Sequence, residues 1–426
     1  MEENSKVTQE SDSNLKSTSP NFSENDEKSE DALNKPIRRN SNMNSSEIDS
    51  ELMEKLRGDA IGDTLYSESF AAKTLLQLSD LKWSEKVEED LCFLWDMTLE
   101  KDVCDYLLKL SYPSIACAAI SKYDENRLIE IVIGILANIC CTVDVTDLAD
   151  EQMDIVLSAL RTDDALILIQ VVRFIKAIAY NRETLPFIDE TILEQISFIL
   201  LNSCNNELLI NSLDAVSKIT ADCKIDANLL NGNLVKSSIV AYQCVCNSER
   251  ERLSLDQDQI ETNQQRTALT HLIQIVSNIC WYINTDSSDR LLNEVKENSG
   301  VFLEELSKLF SCYSRDESLL PVSEELQFYV DALVFIFQVL SINYNGKIFS
   351  NLMIITNILL KNKFEELGLF LELDCYFISV GNLEDIKCDL RCLKRDEVIA
   401  ILNKLKSDED FPYMEKVNAL LNEYNE

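Results

Sequence analysis

The residues that could do chemistry in this chain are few. One histidine, His271, serves all 426 residues. Any Ser-His-Asp or Cys-His system would have to be built on that imidazole. It lies in RTALTHLIQIV, one turn before Ile275 and two before Ile279, on an apolar helical stripe where a core or groove histidine is expected. Fourteen cysteines form no CxxC; the closest groupings are Cys140-Cys141, Cys244-Val-Cys246 and Cys388-x3-Cys392. With one histidine to join them, a Cys/His zinc site lacks raw material. GDAIGD (58–63) has neither the third glycine nor the Lys-Ser/Thr of a phosphate loop. DQDQIE (256–261) starts like a calcium loop but lacks its glycine and terminal spacing. Asp163-Asp164 falls in a polar corner, where aspartate caps a following helix. The expectation is no catalytic residue, no cofactor and no metal: not an enzyme.

What remains is chemistry of recognition, and it depends on the elements that present it. Only 8 Gly and 6 Pro occur, and hydrophobic residues make up 46%, which favours long helices with short connections. From residue 57 the apolar pattern is helical and repeats: IVIGILANICC (131–141), VVRFIKAIAY (171–180), LDAVSKITAD (213–222), IQIVSNICWY (273–282) and ALVFIFQVLS (332–341). Aligning them on one apolar position gives the anchors Ile139, Ile178, Ile219, Ile279 and Leu340, spaced by 39, 41, 60 and 61 residues. The first two spacings match the ~40–47 residue period of armadillo and HEAT units. The longer two equal one unit plus about twenty residues of insertion on that period. The polar stretch 247–265 is expected to be one insertion, as a loop or solvated helix, and 314–325 a second. Each anchor helix follows a shorter amphipathic one across a polar corner, as in an all-α, armadillo/HEAT-like α-solenoid. That domain is expected over 57–426, with a more highly charged C-terminal cap at about 384–426.

Within such an array two anchor helices carry Asn one residue before the anchor, at Asn138 and Asn278. Armadillo units that bind extended peptides use asparagine amides to pair with the ligand backbone, so these two are candidate partner-binding residues. The alternative is that both finish a helix near its polar end. Peptide-binding units also place Trp four residues earlier, where this chain has Gly134 and Gln274. Trp281, Tyr282 and Tyr180 follow the anchors and are expected either to form a rim patch, with Trp281 partner-binding, or to pack between units.

The net charge is −35, from 74 acids and 39 bases. Residues 1–50 hold 11 acids and 6 bases, so most of the excess lies on the part that folds. That field opposes nucleic acid and anionic membrane and attracts a basic protein partner. It also serves solubility alone. Residues 1–56 are rich in Ser, Asn and Glu and are expected to be a disordered tail. Their one feature is KPIRRNS, where Arg38 and Arg39 precede Ser41, a weak match to a phosphorylation site. The N-terminus has no basic, apolar signal segment, and the 19-residue uncharged run 267–285 carries His271, Gln274 and Asn278, so neither secretion nor a membrane span is expected.

Three stretches have a collective likeness. GDAIGDTLYS (Gly58, Asp59, Ile61, Gly62, Thr64, Tyr66, Ser67), WDMT (Trp95, Asp96, Met97, Thr98) and GILANICC (Gly134, Ile135, Leu136, Asn138, Cys141) resemble, in order and spacing, the serum amyloid A-like protein family. The resemblance covers 58–141, about a fifth of the chain. It implies an armadillo-type, non-secreted protein of the nucleus or cytoplasm that promotes cell proliferation, notably of synovial fibroblasts under inflammatory stimulation. It brings no enzymatic activity and no ligand residues. From the residues themselves, WDMT reads as a helix corner, with Trp95 packed inward and Thr98 as the N-cap of the next helix. Two functions follow as expectations: an interaction scaffold or adaptor, or a transport or chaperone-like factor shielding a basic client in an acidic groove. Oligomeric state is left open.

Overall fold

The computed structural model describes residues 58–425 apart from 80–82, 144–147, 254–261, 287 and 408–413. The expected tail and Ser41 lie outside the described residues. A loop, 58–67, enters α1 (Glu68–Ser79), followed by α2 (Glu85–Met97), α3 (Lys101–Lys109), α4 (Tyr112–Lys122) and α5 (Asn126–Thr142). Then come α6 (Asp150–Ser158), α7 (Ala165–Asn181), α8 (Glu190–Asn202), α9 (Asn206–Ile219), α10 (Gly232–Leu253), α11 (Asn263–Asp286) and α12 (Asp289–Tyr313). The chain ends with a short α13 (Asp316–Leu319), α14 (Glu324–Leu340), α15 (Gly346–Lys361), α16 (Leu367–Val380), α17 (Leu383–Leu390), α18 (Arg395–Lys406) and α19 (Met414–Asn425). No strand occurs among the described residues, and no single helix there is long and apolar enough to cross a membrane.

The helices stack in two ladders. One runs α5–α7–α9–α11–α14–α16, the other α4–α6–α8–α10–α12–α15, and neighbours cross-pack between them. The first, or inner, ladder packs the more closely over its early members. All five anchors belong to the inner ladder and are buried: Ile139, Ile178, Ile219, Ile279 and Leu340. No helix can bury its apolar stripe alone; stacking makes one continuous core, the logic of an α-solenoid. Polar corners start the helices. Asp164, Asp189, Asn205, Ser323 and Asn345 each accept a bond from a backbone N–H in the first turn of α7, α8, α9, α14 and α15. At the C-terminal end α18 and α19 pair with each other and close against α15, α16 and α17.

Longer helices fill most of the long anchor spacings. Residues 247–253 continue α10, and α11 begins at Asn263, so much of the polar stretch is helix. It shows no apolar stripe because polar groups hold it. Ser248 donates to Asn206 Oδ1 (2.6 Å), and Gln265 donates to the Cys246 carbonyl (3.2 Å). The buried Glu249 pairs with Arg252 at 2.9 Å. With 22 residues in α10 and 24 in α11, lengthened helices take up most of the extra chain. The same holds for the next interval, where α12 has 25 residues before the short α13.

Candidate partner-binding face

The three resembling stretches meet in one N-terminal assembly. Asp59 receives the hydroxyl of Ser67 and both the N–H (3.0 Å) and hydroxyl (2.7 Å) of Ser69, fixing the loop over the start of α1. Gly62 has φ +53°, and a Cβ there would strike the Asp102 carboxylate, which accepts the Asp63 N–H at 2.9 Å. Trp95, at the end of α2, lies across α5 at Gly134, which therefore carries no side chain. Thr98 donates to the Trp95 carbonyl (2.5 Å) and accepts from Asn138 (2.9 Å).

Two sequence expectations change here. Thr98 is the C-cap of α2, not the N-cap of α3, which begins at Lys101 after Glu100. Its hydroxyl is drawn into the interior by Asn138, the one polar amide facing that corner. Asn138, in turn, is 8% exposed, and its carbonyl oxygen accepts from Arg173 at 2.8 Å. An amide with both ends taken inside the fold does not pair with a ligand backbone. Trp95 packs onto this helix, α5, from α2.

The face opens at α7. Along α7, α9 and α11, otherwise buried helices each keep one line of side chains exposed or half-buried. These are Arg173, Lys176 and Tyr180 on α7, Asn211, Asp214 and Lys218 on α9, and His271, Gln274, Asn278 and Trp281 on α11. The spacing i, i+3, i+7 puts each set on one side of its helix. Polar contacts then run from helix to helix. Lys176 Nζ is 3.0 Å from Asp214 Oδ2, and His271 Nδ1 lies 3.7 Å from Asp214 Oδ1 and 3.4 Å from Gln274 Oε1. Burial pushes the His271 imidazole below its ordinary pKa; Asp214 opposes that shift, while Lys218 and Lys176 reinforce it. Asn278 donates to the Ser217 carbonyl (3.0 Å) and to Thr220 (3.1 Å), the same Asn-to-Thr staple as Asn138 to Thr98 one unit set earlier.

Of the expected aromatics, Tyr180 is 74% and Trp281 50% exposed, whereas Tyr282 is buried in the core. Trp281 and Asn278 thus lie on the open face and Asn138 does not. Arg173, Lys176 and Lys218 were not singled out from sequence. The signal was present, as isolated bases interrupting apolar runs at helical spacing.

Two other surfaces are concave. Between α8, α10 and α12 on the outer side is a cleft of about 510 Å³ lined by Glu190, Glu194, Glu294 and Glu297 together with Lys236 and Arg290. Between α1 and α4 is an apolar groove of about 580 Å³, lined by Leu75, Leu76, Leu78, Ile115 and Ala119. No group of three or more His, Cys, Asp or Glu side chains among the described residues is placed to hold a metal ion.

No protein-family model matches the chain. An engineered protein of solved structure aligns with 64% of this chain and 96% of its own at 12% identity, with a TM-score of 0.37. A designed armadillo repeat protein, solved with the peptide (KR)4, aligns with 63% of this chain and 98% of its own at 13% identity, also with a TM-score of 0.37. Protein saal1 of Danio rerio is 30% identical over 183 residues, 38% of this chain and 39% of its own. Protein SAAL1 of Homo sapiens is 28% identical over 190 residues, 38% and 40% of the two chains. The alignments span about two-fifths of these curated relatives, and over that stretch the chain is similar to the SAAL1 proteins.

Proposed function

We propose that this chain is a non-enzymatic interaction scaffold that holds a segment of a protein partner along the inner face of α7, α9 and α11. One observation carries the reading. Three consecutive helices, packed into the core along most of their other sides, keep an aligned polar and aromatic line exposed or half-buried. A solenoid that needed only a core would gain by covering that line with apolar side chains. Cell-proliferation control in the nucleus or cytoplasm is the setting that the serum amyloid A-like resemblance supports. A net charge of −35 weighs against nucleic acid and anionic membranes as partners.

The alternative of a carrier for a basic client is favoured by the outer cleft, where four glutamates face two bases. Affinity capture of the full chain from cells, after photo-crosslinking from position 281 or from position 297, separates the two. Protein captured from 281 supports the inner-face scaffold. Basic protein captured from 297 alone supports the carrier. Nothing captured from either position, across several cell types, removes the scaffold reading.

A further inference from the structure

The strip on α7, α9 and α11 is less acidic than the chain. Its charged members are Arg173, Lys176 and Lys218 against Asp214 and Glu207, on a chain with nearly twice as many acids as bases, and Glu207 stands at the N-terminal end of α9, away from Lys218. Asp214 is already engaged by Lys176 at 3.0 Å, and Arg173 is held flat against Asn138 and Gln170. Among the described residues Lys218 forms no ion pair, and His271 feels its charge directly. At the C-terminal end of the strip, around Tyr180, Lys218 and Trp281, no line residue carries an open carboxylate, while the positive charge of Lys218 has no ion pair among the described residues. Tyr180, one turn beyond Lys176, and Trp281, one turn beyond Asn278, supply apolar surface at the same end of their helices.

We propose that this strip docks an acidic, extended segment of a partner protein, its carboxylates on Lys218 and the edge of Arg173, with one apolar side chain on Tyr180 and another on Trp281. The inference rests on the scaffold reading and names the chemistry of its partner. Packed helices lie about 8–10 Å apart, so α7 and α11, two steps along the ladder, are separated by roughly 20 Å. An extended chain advances about 3.3 Å per residue, so roughly six residues cross the strip. Such a segment brings a few carboxylates, which local contact outweighs once salt has screened the protein's overall field beyond about 8 Å. A nucleic-acid strand brings a phosphate at every step, and the same net charge opposes it along its whole length.

The test uses full-length protein and fluorescence anisotropy with three labelled probes. These are a ten-residue peptide of Glu interrupted by Leu and Phe, the same peptide with Lys for Glu, and a ten-nucleotide mixed-sequence DNA strand. The acidic peptide is expected to bind best. Lys218→Glu should weaken it about fivefold, with Lys218→Arg near wild type, and Trp281→Ala about thirtyfold, the effect of an exposed aromatic anchor. Both side chains lie on the surface, so far-UV circular dichroism and melting should not change. Tighter binding of the basic peptide or the DNA overturns the proposal, as does acidic-peptide binding that neither substitution alters, or no binding at all. If cellular partners still crosslink from position 281 while the acidic peptide fails, the partner's chemistry is wrong and the scaffold stands. If nothing crosslinks, the scaffold itself falls.

Discussion

Gly134 gives the sharpest test of how the N-terminal assembly is built. A Cβ on residue 134 would lie 2.2 Å from Cζ2 and 2.4 Å from Cε2 of Trp95, where carbon–carbon contact needs about 3.5–4.0 Å. The backbone of α5 cannot retreat, because residues 130–140 are all buried, so the indole must tilt out of the corner. Overpacking of this kind costs about 1–3 kcal/mol, while replacing glycine by alanine inside a helix returns about 1 kcal/mol. Gly134→Ala is therefore expected to destabilise by up to about 2 kcal/mol, the reverse of its effect on a free helix. Trp95→Leu removes the obstructing ring and leaves a cavity, costing about 2–3 kcal/mol. In that background Gly134→Ala should become stabilising by up to about 1 kcal/mol, giving a coupling of about 1–3 kcal/mol across the cycle. Urea unfolding followed by circular dichroism, with hydrogen exchange on α2 and α5, would measure it. Additivity within about 0.5 kcal/mol, or stabilisation by Gly134→Ala in the parent protein, refutes the lock.

Three further outcomes are expected. Asp374 is fully buried against Thr356 (2.7 Å), and burial pushes its carboxyl up to about 7 from an ordinary 3.8. Its folded pKa is the higher, so the unfolded chain releases this proton first; stability falls as pH rises from about 4 to about 7, by an upper bound of about 4 kcal/mol. Asp374→Asn should stabilise at pH 8 and do little at pH 4; an equal melting shift at both would refute this. Asn138→Ala leaves the buried Thr98 without its donor and Arg173 without one acceptor, and should cost about 2–3 kcal/mol, against about 1 kcal/mol for the half-buried Asn278→Ala; the opposite ranking in melting experiments would count against the staple. The exposed Cys141, Cys204 and Cys388 should be alkylated in the native protein. Burial pushes the Cys104 thiol up to about 11 and that of Cys280 to about 12, so both should react only on unfolding, as peptide mapping by mass would show.

Fold class is legible because anchor positions answer to one strong demand. Ile139, Ile178, Ile219, Ile279 and Leu340 must each enter a shared core, and apolar side chains at a regular period leave a plain trace. Where polar groups do the packing, that trace disappears. Glu249 and Gln265 are buried, yet both read as solvated residues, and the end of α10 and start of α11 therefore read as an insertion. The Asn-Thr staples fail in the same way. A polar residue at a repeated helical position fits a ligand contact as well as an internal bond, and only the partner's location decides. For Asn138 that partner is Thr98, forty residues away across the WDMT corner. Nothing in local sequence links the two.

Charge is the property that sequence totals describe least well. A net −35 sets the field that an approaching molecule meets at a distance, but contact is made at particular side chains. Here the acids of the outer cleft, Glu190, Glu194, Glu294 and Glu297, stand on α8 and α12, whereas Arg173, Lys176 and Lys218 stand on α7 and α9. The two surfaces therefore make opposite demands of salt. A basic client drawn to the outer cleft by the whole field loses its affinity steeply as ionic strength rises. An acidic segment on the inner strip gains from screening of that same field while losing part of its contact with Lys218, and its aromatic contacts with Tyr180 and Trp281 are not screened. Its salt dependence should be shallow, and the sign and steepness of that slope tell the two faces apart before any partner is identified.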